Sequence, residues 1–306
     1  MTELVGEARE GIVTFRLAHL SDAHIGPLPR PRAHELLGKR LTGYLNWRRR
    51  SRIHNMEVLA HIVADMRAQA PDHVAMTGDI LNIGLPAEFP LASAWLETLG
   101  DAHDVSFVPG NHDAYVRSSL AHLETTFTPW TRADVHDPQT YPYLRVRGGV
   151  ALIGVCSGVP TAPLLASGKL GPAQRDRLEI ALAETGARGL MRVVMIHHPP
   201  NRKGATPGRG LSDAGRFEAL IAAHGAELII HGHNHRHSIA HIAGPKGPVP
   251  VVGVASASAV PGTQRHRAAW HMYEIAREGA GWRIEGRIRG MREDDETIVE
   301  LGRFSL

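Results

Sequence analysis

The chain is poor in cysteine and has no long apolar run. Its 306 residues contain one cysteine, Cys156, which excludes the intramolecular disulfide framework typical of small secreted domains. No apolar run approaches the ~18 residues that a transmembrane helix requires. Residues 1–11 hold three glutamates and lack the apolar centre of a secretory signal. We therefore expect a cytoplasmic protein, with peripheral attachment to a membrane left open.

An excess of charge of one sign is also missing. Lys and Arg number 34 against 31 Asp and Glu, a net charge of +3. The basic residues form no extended track, so no nucleic-acid partner is expected. The apolar fraction of 43% is typical of a globular protein with a sizeable core. Since no repeat or low-complexity linker interrupts the chain, we expect a single domain over residues 1–306, with the oligomeric state left open.

Histidine, by contrast, is abundant, and five of the 20 histidines belong to motifs that follow short apolar runs. One such run, residues 105–108, precedes Gly110-Asn111-His112-Asp113. This pattern predicts a buried strand that ends in a polar loop. Four further runs end in the same way, and their loops carry Asp22 and His24, Asp79, His197, and His233 and His235. Ligands bind at the carboxyl edge of an open parallel sheet, so these loops are expected to meet there.

The side chains on these loops form a mixed set of oxygen and imidazole donors. Such sets suit manganese, iron, zinc or cobalt better than calcium or magnesium. Seven donors exceed the needs of one ion and fit two ions that share a carboxylate. Two ions about 3.5–4 Å apart are a recurrent device for hydrolysing phosphate esters. We therefore expect two transition-metal ions, manganese or iron first and zinc or cobalt as alternatives, on Asp22, His24, Asp79, Asn111, His197, His233 and His235.

Two further residues of the same loop are expected to be catalytic. Phosphoester cleavage requires an acid for the leaving alkoxide, and a histidine with a pKa near neutrality suits that role. His112 lies next to a metal-ligand candidate without needing to be a ligand itself. Asp113 is expected to hold the other ring nitrogen of His112, as carboxylates beside functional histidines often do.

The apolar periodicity predicts an α/β (α+β) fold in which strands and helices alternate first and strands dominate later. Parallel pairing is expected in the first half, because helical crossovers separate its strands. The later strands are expected to form a second, mixed sheet. Helices are predicted over residues 52–69, 87–99, 114–126, 172–185 and 212–224. Strands are predicted over residues 12–20, 73–76, 105–108, 143–146, 150–155, 192–196, 227–230, 238–242, 249–254, 269–275 and 282–287. The charged stretch from Arg292 onward has no assignment.

Taken together, the motifs resemble the complete signature of the calcineurin-like metallophosphoesterases. The resemblance rests on Asp22-Ala23-His24, Gly78-Asp79, Gly110-Asn111-His112-Asp113, His197 and Gly232-His233-Asn234-His235, and it covers residues 12–260. It implies a sandwich of two mixed β-sheets flanked by helices. It also implies one ion on Asp22, His24, Asp79 and His235 and a second on Asp79, Asn111, His197 and His233. Asp79 would bridge the two ions, and His112 would be the leaving-group acid or a phosphate contact.

Within that family, the motifs around Asp22, Asn111 and His197 are most similar to bacterial class III cyclic-nucleotide phosphodiesterases. This similarity implies hydrolysis of a cyclic nucleotide or another small phosphodiester by metal-activated hydroxide. His198, His19 and His231 are interpreted as structural or pocket-wall histidines and not as ligands.

Residues 27–52 have no counterpart in a minimal phosphoesterase and are interpreted as an inserted helical cap or lid. The segment follows the Asp22 loop directly, so it is expected to lie over the metal ions. It combines leucines and Trp47 with a cluster of arginines, Arg48, Arg49 and Arg50 among them. One hypothesis is a lid that engages an anionic membrane surface; the alternatives are a packed cover or a dimer contact. The basic loop 201–210 is interpreted as a second flank of the site or as a surface loop.

Several functions remain open at this level. The first is a phosphodiesterase for small phosphodiesters, and the second is a phospholipid or lipid-phosphate hydrolase at a membrane surface. Phosphomonoesters use the same kind of centre and are an alternative substrate. A nuclease would carry a longer basic track, and a non-catalytic scaffold would be expected to have lost ligands, so both rank lower.

Overall fold

Two six-stranded mixed sheets form the centre of the molecule. The computed structural model describes residues 14–50, 52–135, 141–260, 267–292 and 297–306, apart from the side chain of Arg50. The strands are β1 (Thr14–Leu20), β2 (His73–Met76), β3 (Val105–Phe107), β4 (Tyr143–Arg147), β5 (Val150–Gly154), β6 (Met191–Met195), β7 (Leu228–His231), β8 (Ser238–Ile242), β9 (Val249–Gly253), β10 (Ala269–Glu278), β11 (Gly281–Met291) and β12 (Ile298–Ser305). The first sheet has the order β12-β11-β10-β1-β2-β3 and the second has the order β4-β5-β6-β7-β9-β8.

Helices connect the parallel strands and cover the outer faces of the sheets. They are α1 (Lys39–Arg50), α2 (Met56–Ala68), α3 (Glu88–Leu99), α4 (Arg117–Thr126), α5 (Thr128–Thr131), α6 (Pro172–Ala187) and α7 (Ala214–His224), and a 3-10 turn at Ala33–Leu36 precedes α1. The short helix α5 was not expected. None of the helices within the described ranges is long and apolar enough to cross a bilayer.

Local sequence explains where these helices begin and which face they bury. In α2 the side chain of Asn55 accepts hydrogen bonds from the N–H groups of Glu57 and Val58 and so caps the first turn. Val58, Leu59, Ile62, Val63 and Met66 then recur at helical spacing and are buried. They join residues of β1, β2 and β10 in one apolar cluster on the outer face of the first sheet. The amphipathic period therefore packs α2 against the outer face of the sheet whose strand β1 leads to Asp22.

The main core lies between the two inner sheet faces. Leu17 and Tyr273 from the first sheet share a cluster of buried side chains with Leu152, Val193 and Leu228 from the second. A separate cluster packs α6 and α7 against the outer face of the second sheet. Helix, sheet, sheet and helix thus form successive layers, and the expectation of a two-sheet mixed sandwich flanked by helices is confirmed.

The division of strands between the sheets differs from the expectation. Instead of remaining together, the later strands divide: β4 to β9 form the second sheet, whereas β10 to β12 return to the first, where β10 pairs antiparallel with β1. The unassigned C-terminal stretch contains β12, which pairs with β11. Its burial alternates only weakly, so the pairing depends on β11 as a partner more than on a strong local pattern. The hairpin of β4 and β5 turns at Gly148 and Gly149, as expected.

Candidate metal centre

Each sheet contributes adjacent parallel strands whose carboxyl ends carry the candidate ligands. In the first sheet β1 pairs parallel with β2, and β2 with β3. These strands lead to Asp22, Asp79 and Asn111. In the second sheet β6 pairs parallel with β7, and these strands lead to His197 and His233. Because parallel strands end at the same edge, motifs as distant in sequence as those of Asp22 and His235 converge on one site.

The backbone at this edge is held in an unusual conformation. Of seven non-glycine residues with positive φ in the described ranges, five are candidate ligands, with φ between 41° and 67°. They are Asp22, His24, Asp79, His233 and His235. The left-handed region costs about 1–3 kcal/mol for such residues. Hydrogen bonds between neighbouring loops hold these turns, for example from the N–H of His24 to the carbonyl of Asp79 at 3.0 Å.

Hydrogen bonds to backbone carbonyls define the tautomers of two histidines. His197 Nδ1 lies 2.7 Å from the carbonyl oxygen of Thr77, and His24 Nδ1 lies 3.1 Å from that of Leu81. A carbonyl only accepts, so each Nδ1 carries the proton and donates it. Nε2 of both rings is then the atom that can bind a metal, which is the usual arrangement in metal-bound histidines.

Polar contacts across the two sheets bring the carboxylates and imidazoles together. The N–H of His233 donates to Asp22 Oδ2 at 3.0 Å. His235 Nε2 lies 3.1 Å from Asp22 Oδ1, and His197 Nε2 lies 3.2 Å from Asp79 Oδ2. Three groups of side chains have donor atoms within 4.8 Å of one another: Asp22, His24 and His235; Asp22, Asp79 and His197; and His197, His198 and His233.

The residues present fit bound metal ions, since two buried donor atoms among them have no hydrogen-bond partner. Asn111 Oδ1 and His233 Nε2 are each buried and take part in no hydrogen bond. Leaving these two atoms unsatisfied would cost about 1–3 kcal/mol each. A cation coordinated by these atoms would remove that cost, and the mixture of oxygen and imidazole nitrogen suits transition metals.

Electrostatics keeps most of these groups in their ligating forms. Burial alone would raise the pKa of Asp22 and Asp79, but the neighbouring histidines outweigh burial and hold both values below the usual range. Burial lowers the pKa of His24 well below normal and that of His233 to about 3. Burial would also lower the pKa of His197, but the Asp79 carboxylate raises it to about 9. A metal ion would take the place of that proton.

Glycines allow the ligand loops to approach one another. A Cβ at Gly110 would lie 2.8 Å from the backbone nitrogen of Asp79, which is closer than atoms can pack. At Gly78, where φ is 98°, a Cβ would lie 2.7 Å from His197 Nδ1. The Gly-Asp and Gly-Asn-His-Asp motifs therefore need glycine for space as well as for conformation.

The expected bond between Asp113 and the ring of His112 is wrong. The carboxylate of Asp113 turns beneath the Asp79 loop and accepts four backbone hydrogen bonds, from Asp79, Ile80, Leu81 and Gly110, at 2.7 to 3.0 Å. It is fully buried. Burial and the nearby Asp79 charge raise the pKa of Asp113 to about 6. Asp113 thus ties the two ligand loops together, because the loop after β3 directs its side chain inward.

The ring of His112 is held by a different partner. Its Nδ1 hydrogen-bonds to the carbonyl oxygen of Asn82, and its backbone N–H donates to Asp79 Oδ1 at 2.7 Å. Its ring stacks on Tyr115 and meets His24 edge-on, with centroids 4.8 Å apart for the latter. Since Nδ1 donates to a carbonyl, Nε2 is the ring atom left for a substrate.

An inner cavity of ≈ 120 Å³ opens beside these ligands. Asp79, Asn111, His112 and His235 line one part of it, and α1 contributes Gly43, Asn46 and Trp47. The segment after the Asp22 loop therefore covers the site. Of the basic residues in loop 201–210, Arg209 reaches the cavity, whereas Arg202 pairs with Glu218 at 3.2 Å.

His54 is a residue of the site that the sequence did not reveal. It lines the inner cavity, its ring centroid lies 4.5 Å from that of His24, and its Nδ1 bonds to Ser258 Oγ at 2.7 Å. Burial lowers its pKa to about 3. It reaches the site through an isolated bridge to Ala259. No local motif marks it, because the bridge joins segments more than 200 residues apart.

Three other histidines lie near the candidate ligands. His198 is buried, its Nδ1 lies 2.8 Å from Ser157 Oγ, and it packs behind His233 with ring centroids 4.7 Å apart. His19 bonds to Thr77 Oγ1 at 2.9 Å, and the ring of His231 contacts the carbonyl of Gly232 at 3.0 Å. These local hydrogen bonds match the structural roles expected for His19 and His231.

The chain is similar in sequence to known proteins. A family model described as calcineurin-like phosphoesterase matches residues 15–237. A probable cyclic nucleotide phosphodiesterase of Synechococcus sp. is 27% identical over 229 residues, which is 74% of this chain and 80% of that protein.

Two solved structures share the fold. A dimetal phosphatase from Danio rerio superposes with a TM-score of 0.61 at 15% identity, covering 94% of this chain and 99% of its own. The purple acid phosphatase PPD1 from yellow lupin seeds gives a TM-score of 0.56 at 12% identity, with 96% of this chain and 54% of its own covered.

Proposed function

Because the chain belongs to the calcineurin-like phosphoesterase family and is a hydrolase of phosphoester bonds, we propose that it is a dinuclear metal-dependent phosphodiesterase. The proposed substrates are small phosphodiesters, cyclic nucleotides included. The observation that carries the proposal is the presence of buried, unpartnered donor atoms on Asn111 and His233 among the candidate ligands. The likeness to a probable cyclic nucleotide phosphodiesterase over 74% of the chain supports the diester class.

In this proposal seven residues hold the two ions. Asp22, His24, Asp79 and His235 would bind one, and Asp79, Asn111, His197 and His233 the other. Manganese or iron fits the donor set best, with zinc and cobalt as alternatives. When bound, two such ions neutralise phosphate charge and lower the pKa of a coordinated water. Asn111 supplies a neutral oxygen, which keeps the site attractive to an anionic substrate.

His112 is proposed to deliver the proton that the leaving group needs. Hydrolysis forms a bond from a water oxygen to phosphorus, breaks the bond to the leaving alkoxide and transfers one proton to that alkoxide. The Asn82 carbonyl fixes Nδ1 of His112, so Nε2 is the atom that donates. Asp113 serves by holding the backbone of the Asp79 and Asn111 loops, and Arg209 at the cavity provides positive charge for the phosphate.

The test compares bis-p-nitrophenyl phosphate with p-nitrophenyl phosphate. The protein is stripped with a chelator and refilled with manganese, iron, zinc, cobalt or magnesium singly. We expect transition metals to restore diesterase activity well above monoesterase activity. Dominant monoesterase activity would replace the proposal with a phosphomonoesterase. Full metal occupancy without turnover of either ester would contradict a broad small-diester activity.

A further inference from the structure

Exposed leucines gather at the mouth of the site. Eleven large apolar side chains are exposed in the described ranges. Three of them, Leu45, Leu164 and Leu165, line an outer cavity of ≈ 470 Å³. Leu41 lies one turn before Leu45 on the same face of α1, and Leu37 precedes the helix with 75% of its surface exposed. Five of the eleven exposed large apolar side chains therefore line the outer cavity or lie on the segment of chain that enters it.

The outer cavity leads directly to the candidate metal centre. It shares Asn111, His112, Tyr115 and Arg209 with the inner cavity. A phosphoester held at the inner cavity would therefore extend its substituent between Leu45 of α1 and Leu164 of the facing loop. Exposed apolar clusters of this kind usually mark a binding surface.

Helix α1 is fixed in place as one wall of this mouth. Lys39 Nζ donates to Thr161 Oγ1 of the facing loop at 2.6 Å and lies 4.5 Å above the ring of Tyr115. Arg40 is buried and donates to the carbonyls of Ile83 and Gly84. The inner face of α1 is therefore used for attachment, which leaves the face with Leu41 and Leu45 for an external partner.

The charge on α1 favours an anionic occupant. The helix contains two basic residues at its start, three consecutive arginines at its end and no acidic residue. Arg49 lines the outer cavity next to Leu45. Basic and leucine side chains on one exposed helix are the combination that binds anionic lipid surfaces. Self-association through the same face would bring two basic helices together, so a second copy is disfavoured.

We propose that the mouth formed by Leu37, Leu41, Leu45, Leu164 and Leu165 docks on an anionic lipid bilayer and receives the acyl chain of a lipid phosphoester. This inference rests on the proposed function, because the phosphoester would be cleaved at the same centre. The leucines contact the apolar chain, Arg49 contacts anionic headgroups, and the phosphate reaches the inner cavity past Tyr115.

The first experiment compares two diesters with the same leaving group. The metal-loaded full chain is assayed with methyl p-nitrophenyl phosphate and dodecyl p-nitrophenyl phosphate. We expect kcat/KM to be at least about tenfold higher for the dodecyl ester, since part of its chain becomes buried. The double variant Leu41→Ser with Leu45→Ser should reduce this ratio toward one. If that double variant misfolds, Leu164→Ser with Leu165→Ser tests the opposite wall of the mouth independently.

A matched control is available on α3. Leu91 has the same 47% exposure as Leu41 and Leu45 but lines neither the inner nor the outer cavity. Leu91→Ser should leave the ratio as in the wild type. A ratio near one in the wild type, or an equal fall in the Leu91 variant, would overturn the acyl-chain site.

The second experiment measures docking without turnover. Flotation is measured with vesicles of phosphatidylcholine, with and without phosphatidylglycerol. We expect binding only with phosphatidylglycerol, weakened by salt and by the double leucine variants but not by Leu91→Ser. No binding, or a concentration-dependent dimer that the leucine variants abolish, would overturn the proposal. If neither ester is hydrolysed, the proposed function fails, whereas flotation still decides the docking surface.

Discussion

Gly110→Ala tests whether close packing of the ligand loops is required for metal binding. A Cβ at Gly110 would lie 2.8 Å from the backbone nitrogen and from the carboxyl carbon of Asp79. Ordinary contact begins at 3.4 Å, and Asp79 Oδ1 would be closer still than these two atoms, so the Asp79 loop must move by at least about 0.6 Å. Metal–ligand distances tolerate only about 0.2 Å. The added methyl should therefore prevent Asp79 from serving both ions.

The expected cost in stability is moderate, whereas the expected loss of metal is large. Overpacking a buried site costs about 1–3 kcal/mol, which a domain of this size should survive. We expect urea unfolding to show that the metal-free variant is about 1–3 kcal/mol less stable than the metal-free wild type. Metal analysis after dialysis should show fewer than two ions per chain.

A matched glycine provides the control for Gly110→Ala. A Cβ at Gly281 would meet its nearest atom at 3.8 Å. Gly281→Ala should therefore change neither the free energy of unfolding nor the number of bound ions. Two ions per chain and unchanged unfolding in Gly110→Ala would refute the reasoning.

Three further predictions concern ligands, acid catalysis and pH. Asp79→Ala should lose both ions, measured by elemental analysis, and retained occupancy by two ions would contradict the bridging role. His112→Ala should keep its metal yet slow aryl phosphodiesters with poor leaving groups most; an equal loss across leaving groups would show that His112 is not the acid. Burial lowers the pKa of His73 and His271 well below normal, so their contribution to stability is present above the unfolded pKa of about 6.5 and is lost as pH falls below it. Below that pH, each of these two histidines should lower the free energy of unfolding by about 1.4 kcal/mol per pH unit. Urea unfolding of chelator-stripped protein at pH 7.5 and 5.5 measures this loss. If the free energy of unfolding depends on pH as steeply in His73→Gln as in the wild type, this account is contradicted.

The strands that carry the motifs were predictable because their patterns are local. Residues 73–76 form β2 with the predicted bounds, and β3 stops at Phe107 just before its glycine loop. A short apolar run closed by glycine or proline has few alternatives to a buried strand. The loops after β1, β2, β3, β6 and β7 could therefore be placed at strand ends before any contact was known. The donor types on those loops likewise indicated metal and phosphoester chemistry.

Pairing partners and long-range contacts depended on the tertiary structure. The return of β10 to β1 and the pairing of β12 with β11 leave no local signal, because register and neighbour are properties of two segments. For the same reason no sequence pattern predicted that His54 lies in the site, or that Asp113 bonds to the Asp79 loop instead of to His112.

The sequence by itself determined which side chains stand at the ends of which strands, because apolar period, glycine and proline act over a few residues. Only the tertiary structure decided how those ends meet. The parallel pairing within each sheet and the packing of the sheets brought Asp22 within hydrogen-bond distance of the His233 backbone across 211 residues. The same packing laid α1 over the cavity and left its leucines facing outward, since Lys39 and Arg40 bind segments distant in sequence.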